Sequence, residues 1–143
     1  MRVLGVDLGE KRIGLALSDE LAILASPLEV FEFRDRPAAL QHIAEVVKRR
    51  QVGEIVVGLP LDMRGSRGVM AEAAEAFADE LREALGLPVV CWDERLTTAQ
   101  AERAMIEADT SRAGRRRQID MVAAALMLQA YLDLRRNQEA ASQ

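Results

Sequence analysis

The chain has 143 residues, of which 50 % are hydrophobic, and carries a formal net charge of −4. This length predicts one domain with a substantial core, and the negative charge excludes a protein whose whole surface attracts nucleic acid. Residues 2–8 resemble a strand rather than a signal peptide, no apolar run approaches the roughly 18 residues of a membrane span, and the single Cys91 forms neither an intrachain disulfide nor a zinc site, so we expect a cytoplasmic protein without membrane contact.

The first part of the chain predicts three strands and one helix. Apolar runs at residues 2–8 and 13–17 are separated by only four residues, which indicates an antiparallel hairpin. A third strand is expected at residues 28–33. Pro37 then stands at the start of a helix that ends near Arg50.

The middle of the chain alternates strand and helix. A buried strand is predicted at residues 54–59, and a loop with two glycines and mixed charge follows at residues 62–68. A long helix rich in Ala and Glu is expected from Val69 to Leu85, with Gly86 as its cap. Residues 89–92 then form the fifth strand.

The last part of the chain predicts two helices joined by a polar loop. Thr97 and Gln100 have the spacing of a capping box, so a helix should run from there to about residue 108. A loop rich in arginine is expected at residues 109–117, a helix at residues 119–136, and a frayed tail at residues 138–143.

This order of elements predicts an α/β fold with a five-stranded mixed sheet and helices on both faces, forming one domain over residues 1–137. Right-handed crossovers place the fourth and fifth strands parallel to the first, on the side away from the hairpin. Ligands of such sheets gather outside the carboxyl ends of the parallel strands. The sequence gives no indication of oligomeric state.

Three acidic residues stand at unusual positions. Asp7 ends an apolar strand, Glu94 follows another, and Asp120 opens a nearly apolar helix. Each has an ordinary alternative: Asp7 as a turn residue, Glu94 as a partner of Arg95, and Asp120 as a helix N-cap. Carboxylates on apolar elements are usually compensated by a cation or by a basic partner, however, and the three together predict a metal site.

The chemistry that suits such a site is phosphodiester hydrolysis. Two divalent cations about 4 Å apart can activate a water and neutralise the leaving oxygen. Mg²⁺ and Mn²⁺ prefer carboxylate ligands, and Asp7 on the central strand would bridge the two ions, with Glu94 and Asp120 on either side. Asp93 is a reserve candidate, because strand alternation points it away from Glu94.

Basic residues in the two loops predict contacts with a nucleic-acid backbone. Such charge runs are often only solvated, but both loops flank the predicted metal edge. Aromatic residues make up only 3 % of the chain, so contacts should be to phosphate and sugar rather than by base stacking. The candidates for substrate binding are Lys11, Arg12, Arg64, Arg67, Arg95, Arg115, Arg116 and Arg117.

Four sequence blocks, in this order, resemble the signatures of the YqgF family, also called RuvX. They lie at residues 7–16 (DLGEKRIGLA), 58–66 (GLPLDMRGS), 92–99 (WDERLTTA) and 120–124 (DMVAA). The resemblance implies a ribonuclease H-like fold, shared with RuvC-type Holliday junction resolvases, and a nuclease that matures the 5′ end of 16S rRNA precursors. Arg64 departs from the family pattern, and Ala123 stands where the resolvase helix would carry a second carboxylate.

We therefore predict a nuclease that uses two Mg²⁺ or Mn²⁺ ions and acts on RNA first and on branched DNA second, in contact with pre-ribosomal particles. Holliday junction resolution is the first alternative, and a non-catalytic RNA-binding assembly factor is the second. The glycines near Asp7 also resemble the phosphate loop of actin-like and sugar-kinase ATPases, but those need two such domains, for which the chain has no room.

Overall fold

The computed structural model of the chain describes residues 1–61, 64–65, 68–96 and 113–141. Within these ranges the chain forms five strands, three α-helices and one 3₁₀ turn. In chain order they are β1 (Arg2–Leu8), β2 (Arg12–Ser18), β3 (Ala25–Glu32), α1 (Arg36–Arg50), β4 (Val52–Leu59), α2 (Val69–Leu85), β5 (Val89–Asp93), the 3₁₀ turn (Glu94–Leu96) and α3 (Ala113–Ala141).

The strands form one mixed sheet in the order β3-β2-β1-β4-β5, which confirms the predicted topology. β2 is antiparallel to both β1 and β3, whereas β4 is parallel to β1 and to β5. The hairpin between β1 and β2 is closed by a hydrogen bond of 2.8 Å from the Gly9 amide to the Arg12 carbonyl. The carboxyl ends of β1, β4 and β5 therefore share one edge of the sheet.

Helices α1 and α2 cover one face of the sheet. The Asp35 side chain caps α1 by accepting a hydrogen bond from the Ala38 amide, and Gly86 ends α2 in the left-handed conformation that was predicted for it. The main core lies between these helices and the sheet. Its fully buried members include Leu4, Val6, Ile43, Ile55, Phe77 and Leu81.

Helix α3 covers the other face alone. Its residues Ala124, Met127, Leu128 and Leu132 pack against the strand residues that alternate with those of the main core. These strand residues are Val3, Ala16, Val56 and Trp92. The prediction of helices on both faces is thus confirmed, and the odd-numbered residues of β1 point towards α3.

A polar cluster joins α3 to the sheet at the end opposite to the carboxyl edge. Glu54 on β4 is buried, accepts a hydrogen bond of 2.5 Å from the Tyr131 hydroxyl and pairs with Arg135. The Tyr131 ring also lies edge-on to Trp92. This cluster fixes the position of α3 along β4.

The predicted bounds of α3 were wrong at both ends. The helix begins at Ala113 rather than residue 119, because residues 115–118 (RRRQ) are good helix formers whose charge suggested a loop. It continues to Ala141 instead of fraying after Asn137, and Arg135 pairs with Glu139 one turn later. The expected helix at 97–108 lies outside the described residues.

Strand β3 begins at Ala25, three residues earlier than predicted. It contains Pro27, which an edge strand can accommodate because one side of its backbone makes no ladder hydrogen bonds. No helix in the described ranges is both long and apolar enough to cross a membrane.

Candidate functional site

Asp7 lies at the carboxyl end of β1 on the face that α3 covers. Val3 packs against α3, and a Cβ added to Gly5 would lie 3.0 Å from the Leu128 Cβ. Asp7 follows Gly5 by two residues and therefore points to the same side. The sheet thus directs the Asp7 carboxylate towards the N-terminal part of α3.

Asp120 on α3 lies over the neighbouring strand β2, above Gly14. A Cβ on Gly14 would be only 2.4 Å from the Asp120 carbonyl oxygen, so the helix backbone rests directly on the glycine. Gly14 is the register partner of Asp7 across the β1–β2 ladder. Asp7 and Gly14, on which Asp120 rests, are therefore separated only by the spacing of neighbouring strands, about 4.8 Å. Asp7 and Asp120 line the same cleft of 670 Å³.

Glu94 lies on the other side of Asp7, above β4. Its side chain is only 4 % exposed, and its Oε1 is 2.8 Å from the position of a Cβ on Gly58. Val6 pairs with Val57 in the parallel ladder, so Gly58 is next to Asp7 when the same register is continued by one residue. The glycines Gly14 and Gly58 thus flank Asp7, and each leaves room for one of the other two acids.

Asp7 belongs to β1, Asp120 lies above β2 and Glu94 lies above β4, so the three acidic residues are distributed over three neighbouring strands. In the described part of the chain, no group of three or more His, Cys, Asp or Glu side chains is arranged to hold a metal ion together. The donor set nevertheless suits a hard divalent cation, because all its ligands are carboxylate oxygens and Mg²⁺ takes only one or two of these per ion. At Gly14 a Cβ would collide with the Asp120 carbonyl oxygen, and at Gly58 with the Glu94 carboxylate, so the two glycines let these acids approach the strands beside Asp7.

Arg12 contacts Asp120 directly. The distance from Arg12 Nε to Asp120 Oδ2 is 3.4 Å, and the two side chains are 26 % and 25 % exposed. Both line the cleft together with Lys11, Glu32 and Phe33. A cation thus already lies against one of the predicted metal ligands.

Asp93 and Arg95 form a separate ion pair. Arg95 donates from Nε and from its terminal nitrogen to the two Asp93 oxygens, and its hydrogen bonds hold the pKa of Asp93 below its usual value. The Arg95 guanidinium also lies beside Gly65, where a Cβ would be 3.0 Å from it. Asp93 is thus paired with Arg95, and the Arg95 guanidinium lies beside Gly65 in the segment that follows β4.

The other predicted substrate contacts are only partly described. Arg64 is exposed in the turn that precedes Gly65. Arg115, Arg116 and Arg117 lie in the α3 backbone within two turns before Asp120, but their side chains are outside the described part of the structure. Arg67 lies outside it entirely.

Sequence reasoning missed the contribution of the strand glycines. Gly5, Gly14 and Gly58 all face α3 and let the helix or an acidic side chain approach the sheet closely. Isolated glycines inside strand patterns are a known indication of close approach, so this signal was available in the sequence.

Comparison with known proteins identifies the relatives of this chain. A family model described as "RuvX: Holliday junction resolvase" matches residues 1–134. A protein of Pelotomaculum thermopropionicum named "Putative pre-16S rRNA nuclease" is 53 % identical over 134 residues, covering 93 % of this chain and 87 % of that protein. A protein of the same name from Symbiobacterium thermophilum is 50 % identical over 135 residues, covering 94 % of each.

Two solved structures share the fold. RuvC of T. thermophilus in complex with a Holliday junction substrate matches with a TM-score of 0.60 and 18 % identity, over 94 % of this chain and 96 % of that one. The fowlpox virus Holliday junction resolvase matches with a TM-score of 0.52 and 12 % identity, over 93 % and 99 %. These similarities confirm the predicted ribonuclease H-like fold.

Proposed function

The chain belongs to the RuvX family, and from this premise we propose that it is a metal-dependent nuclease that hydrolyses phosphodiester bonds in the 5′-end maturation of precursor 16S rRNA. The observation that carries the proposal is the position of Asp7 between Gly14 and Gly58, with Asp120 above one glycine and Glu94 beside the other. Three carboxylates then share one face of the sheet at its carboxyl edge. We take the substrate from the names of the relatives that are 50–53 % identical to this chain.

The three carboxylates would hold two divalent cations, with Asp7 shared between them, Asp120 on one side and Glu94 on the other. When bound, such a pair of ions supplies a deprotonated water and neutralises charge on the leaving oxygen. No three acids in the described part of the chain are arranged around one ion, so we assign these three to two ions rather than to one. Glu94 is buried, so its carboxylate would need a cation to compensate its charge.

The wall of the cleft would bind the substrate backbone. Lys11 and Arg12 line it beside Asp7, and Gly9, whose amide closes the hairpin, has no side chain that would keep a phosphate from the turn. Arg115, Arg116 and Arg117 precede Asp120 in α3 by less than two turns, so they would add positive charge at this end of the helix. These basic residues would contact phosphate and sugar, which suits recognition of RNA by its backbone rather than by its bases.

Holliday junction resolution is the second candidate, because the matching family model carries that description. A resolvase must cut two strands symmetrically and needs a two-fold dimer, whereas cutting one RNA strand needs a single site. Ala123, at the position where the resolvase helix would carry a second carboxylate, is 3 % exposed and packed in the interior. We therefore propose RNA as the preferred substrate.

The test is a side-by-side cleavage assay with Mg²⁺ or Mn²⁺ on a precursor 16S RNA with an extended 5′ end and on a four-way DNA junction. We expect the RNA to be cut much faster. Paired, symmetric incision of the junction by a stable dimer, with the RNA intact, would favour the resolvase. Binding of RNA without cleavage under any metal condition would favour a non-catalytic assembly factor.

A further inference from the structure

Arg12 lies where its guanidinium can pair either with Asp120 or with a phosphate bound in the cleft. It lies on β2 two residues before Gly14, so both point to the α3 face, and Asp120 lies above Gly14. Asp7 reaches the same region from β1. The Asp120 carboxylate thus contacts the Arg12 guanidinium in the same cleft that Asp7 lines.

The ion pair between Arg12 and Asp120 is loose. Its distance of 3.4 Å exceeds the 2.7–2.9 Å that is typical of charge-assisted hydrogen bonds. About a quarter of each side chain is exposed, and ion pairs with such access to water contribute little stability. A divalent cation that coordinates Asp120 can therefore displace the guanidinium without a large energetic cost.

We propose that Arg12 and the divalent cation compete for Asp120, so that metal binding releases Arg12 to bind a phosphate of the RNA backbone. This inference rests on the proposed function and makes Arg12 a positioning residue that couples the two binding events. The guanidinium fork matches phosphate oxygens as well as carboxylate oxygens, so the released side chain has an equivalent partner in the same cleft. Metal binding and RNA binding then assist each other by the same factor.

The test compares the variants Arg12→Gln and Lys11→Gln in the absence of nucleic acid. Both remove one positive charge from the wall of the same cleft, but only Arg12 contacts Asp120. Lys11→Gln therefore measures the general effect of charge on cation affinity. The measurement is the Mn²⁺ dissociation constant by titration calorimetry, with circular dichroism to establish that each variant is folded.

We expect Arg12→Gln to bind Mn²⁺ about three- to fivefold more tightly than the wild type, which is the upper range for a partly exposed ion pair, and Lys11→Gln to change the affinity less than about twofold. Arg12→Gln should at the same time raise KM for RNA, because glutamine cannot neutralise the phosphate. Arg12→Lys should bind Mn²⁺ with an affinity nearer to that of the wild type, because it keeps the charge.

The possible failures are distinguishable. Equal Mn²⁺ affinities of Arg12→Gln and Lys11→Gln, with tight binding by the wild type, would overturn the competition and leave the metal site intact. A wild-type protein that binds no Mn²⁺ and cuts no RNA would overturn the proposed function together with this inference.

Discussion

At the scale of single residues, the candidate site depends on three glycines, which have no side chain, as much as on the carboxylates. Gly5 and Gly14 allow α3 to lie directly on β1 and β2, and Gly58 leaves room for the Glu94 carboxylate. The helix brings Asp120 to the sheet only because no Cβ intervenes. A substitution at one of these glycines should therefore disturb the site without changing any acidic residue.

Gly14→Ala should show this most clearly. The new Cβ would meet the Asp120 backbone at 2.4 Å, and neither the helix nor the strand can yield like a flexible side chain. We expect the free energy of unfolding to fall by about 1–3 kcal/mol, as for overpacked cores, and cleavage to be abolished. Denaturant titration and the cleavage assay measure the two effects.

The matched control is Gly68→Ser. A Cβ at Gly68 meets nothing within 4 Å, and serine suits the N-cap of α2, which lacks a side-chain cap. This variant should be as stable as the wild type or slightly more so. A fully active and stable Gly14→Ala variant would show that the helix does not need its close approach.

Asp93→Asn tests the ion pair beneath the loop. The hydrogen bonds from Arg95 lower the pKa of Asp93 in the folded state, so this pair stabilises the fold above the unfolded pKa of about 3.9, and the stabilisation disappears as the pH falls through the lower folded pKa. The side chains are 22 % and 35 % exposed, so we expect the variant to be less stable by only about 0.5–1 kcal/mol at neutral pH. The same difference at about pH 2 would contradict a charge effect.

At the scale of elements, the position of α3 decides the geometry of the site. Its apolar residues fix it over the sheet, and the cluster of Glu54, Tyr131 and Arg135 fixes it at the far end. Arg135 also lies over the Tyr131 ring, 5.9 Å from its centre. The helix is therefore held at one end by a polar clamp and at the other by the contact of Asp120 with Gly14.

Titration of Tyr131 tests the clamp. Burial, followed by the hydrogen bond to Glu54 and its charge, raises the pKa of Tyr131 to about 12. Because the folded pKa exceeds the unfolded value of about 10, the clamp contributes stability that is complete below pH 10 and disappears as the pH rises towards 12. The chain has one tyrosine, so tyrosinate absorbance reports on this residue alone.

Glu54→Gln provides the comparison. It removes the negative charge beside the hydroxyl, so the tyrosinate absorbance should rise at a lower pH than in the wild type. A Tyr131 that titrates at about pH 10 in the folded wild-type protein would contradict the clamp.

The elements that the sequence predicted well are those with local signals at both ends. The helix predicted from Val69 to Leu85 was correct at both ends. Its apolar periodicity is followed by Gly86, which adopts the left-handed conformation with φ of 66°. Helix α3 was misjudged because arginine is both a good helix former and a typical loop residue. Only the surrounding structure resolves that ambiguity.

At the scale of the whole molecule, the sheet order followed from the lengths of the connections. The short gap between the first two strands required an antiparallel hairpin, and the two helical crossovers required parallel strands on the other side. From this strand order, the sequence alone predicted that Asp7 and Glu94 lie at the same edge of the sheet. The packing of Asp120 on Gly14 and of Glu94 beside Gly58 joins segments that are distant in the chain. The glycines indicate a close approach, but not which segment makes it.

Replacing Arg115, Arg116 and Arg117 together with glutamine tests whether the start of α3 binds nucleic acid. We expect weaker binding to unrelated RNA sequences and a logarithmic salt slope that falls by roughly 0.7–0.9 for each phosphate that is no longer neutralised. Fluorescence anisotropy at several salt concentrations measures this slope.

The matched control removes the same charge from Lys48, Arg49 and Arg50. These residues end α1 immediately before β4 begins, at the end of the domain opposite to the cleft. Their replacement should leave the salt slope unchanged. Equal slopes for both triple variants would mean that the arginines of α3 are only solvated.

The central proposal is that Asp7 would be shared between the two metal ions of a nuclease site. The most direct measurement is the cleavage rate of precursor 16S RNA in Mn²⁺ by Asp7→Asn, with Asp79→Asn as the control, since Asp79 is an exposed acid on α2. We predict that Asp7→Asn abolishes cleavage while its RNA affinity persists and its metal-free stability is equal or higher, because one repelling charge is removed, and that Asp79→Asn cuts normally. An Asp7→Asn protein that cuts at the wild-type rate would contradict the account.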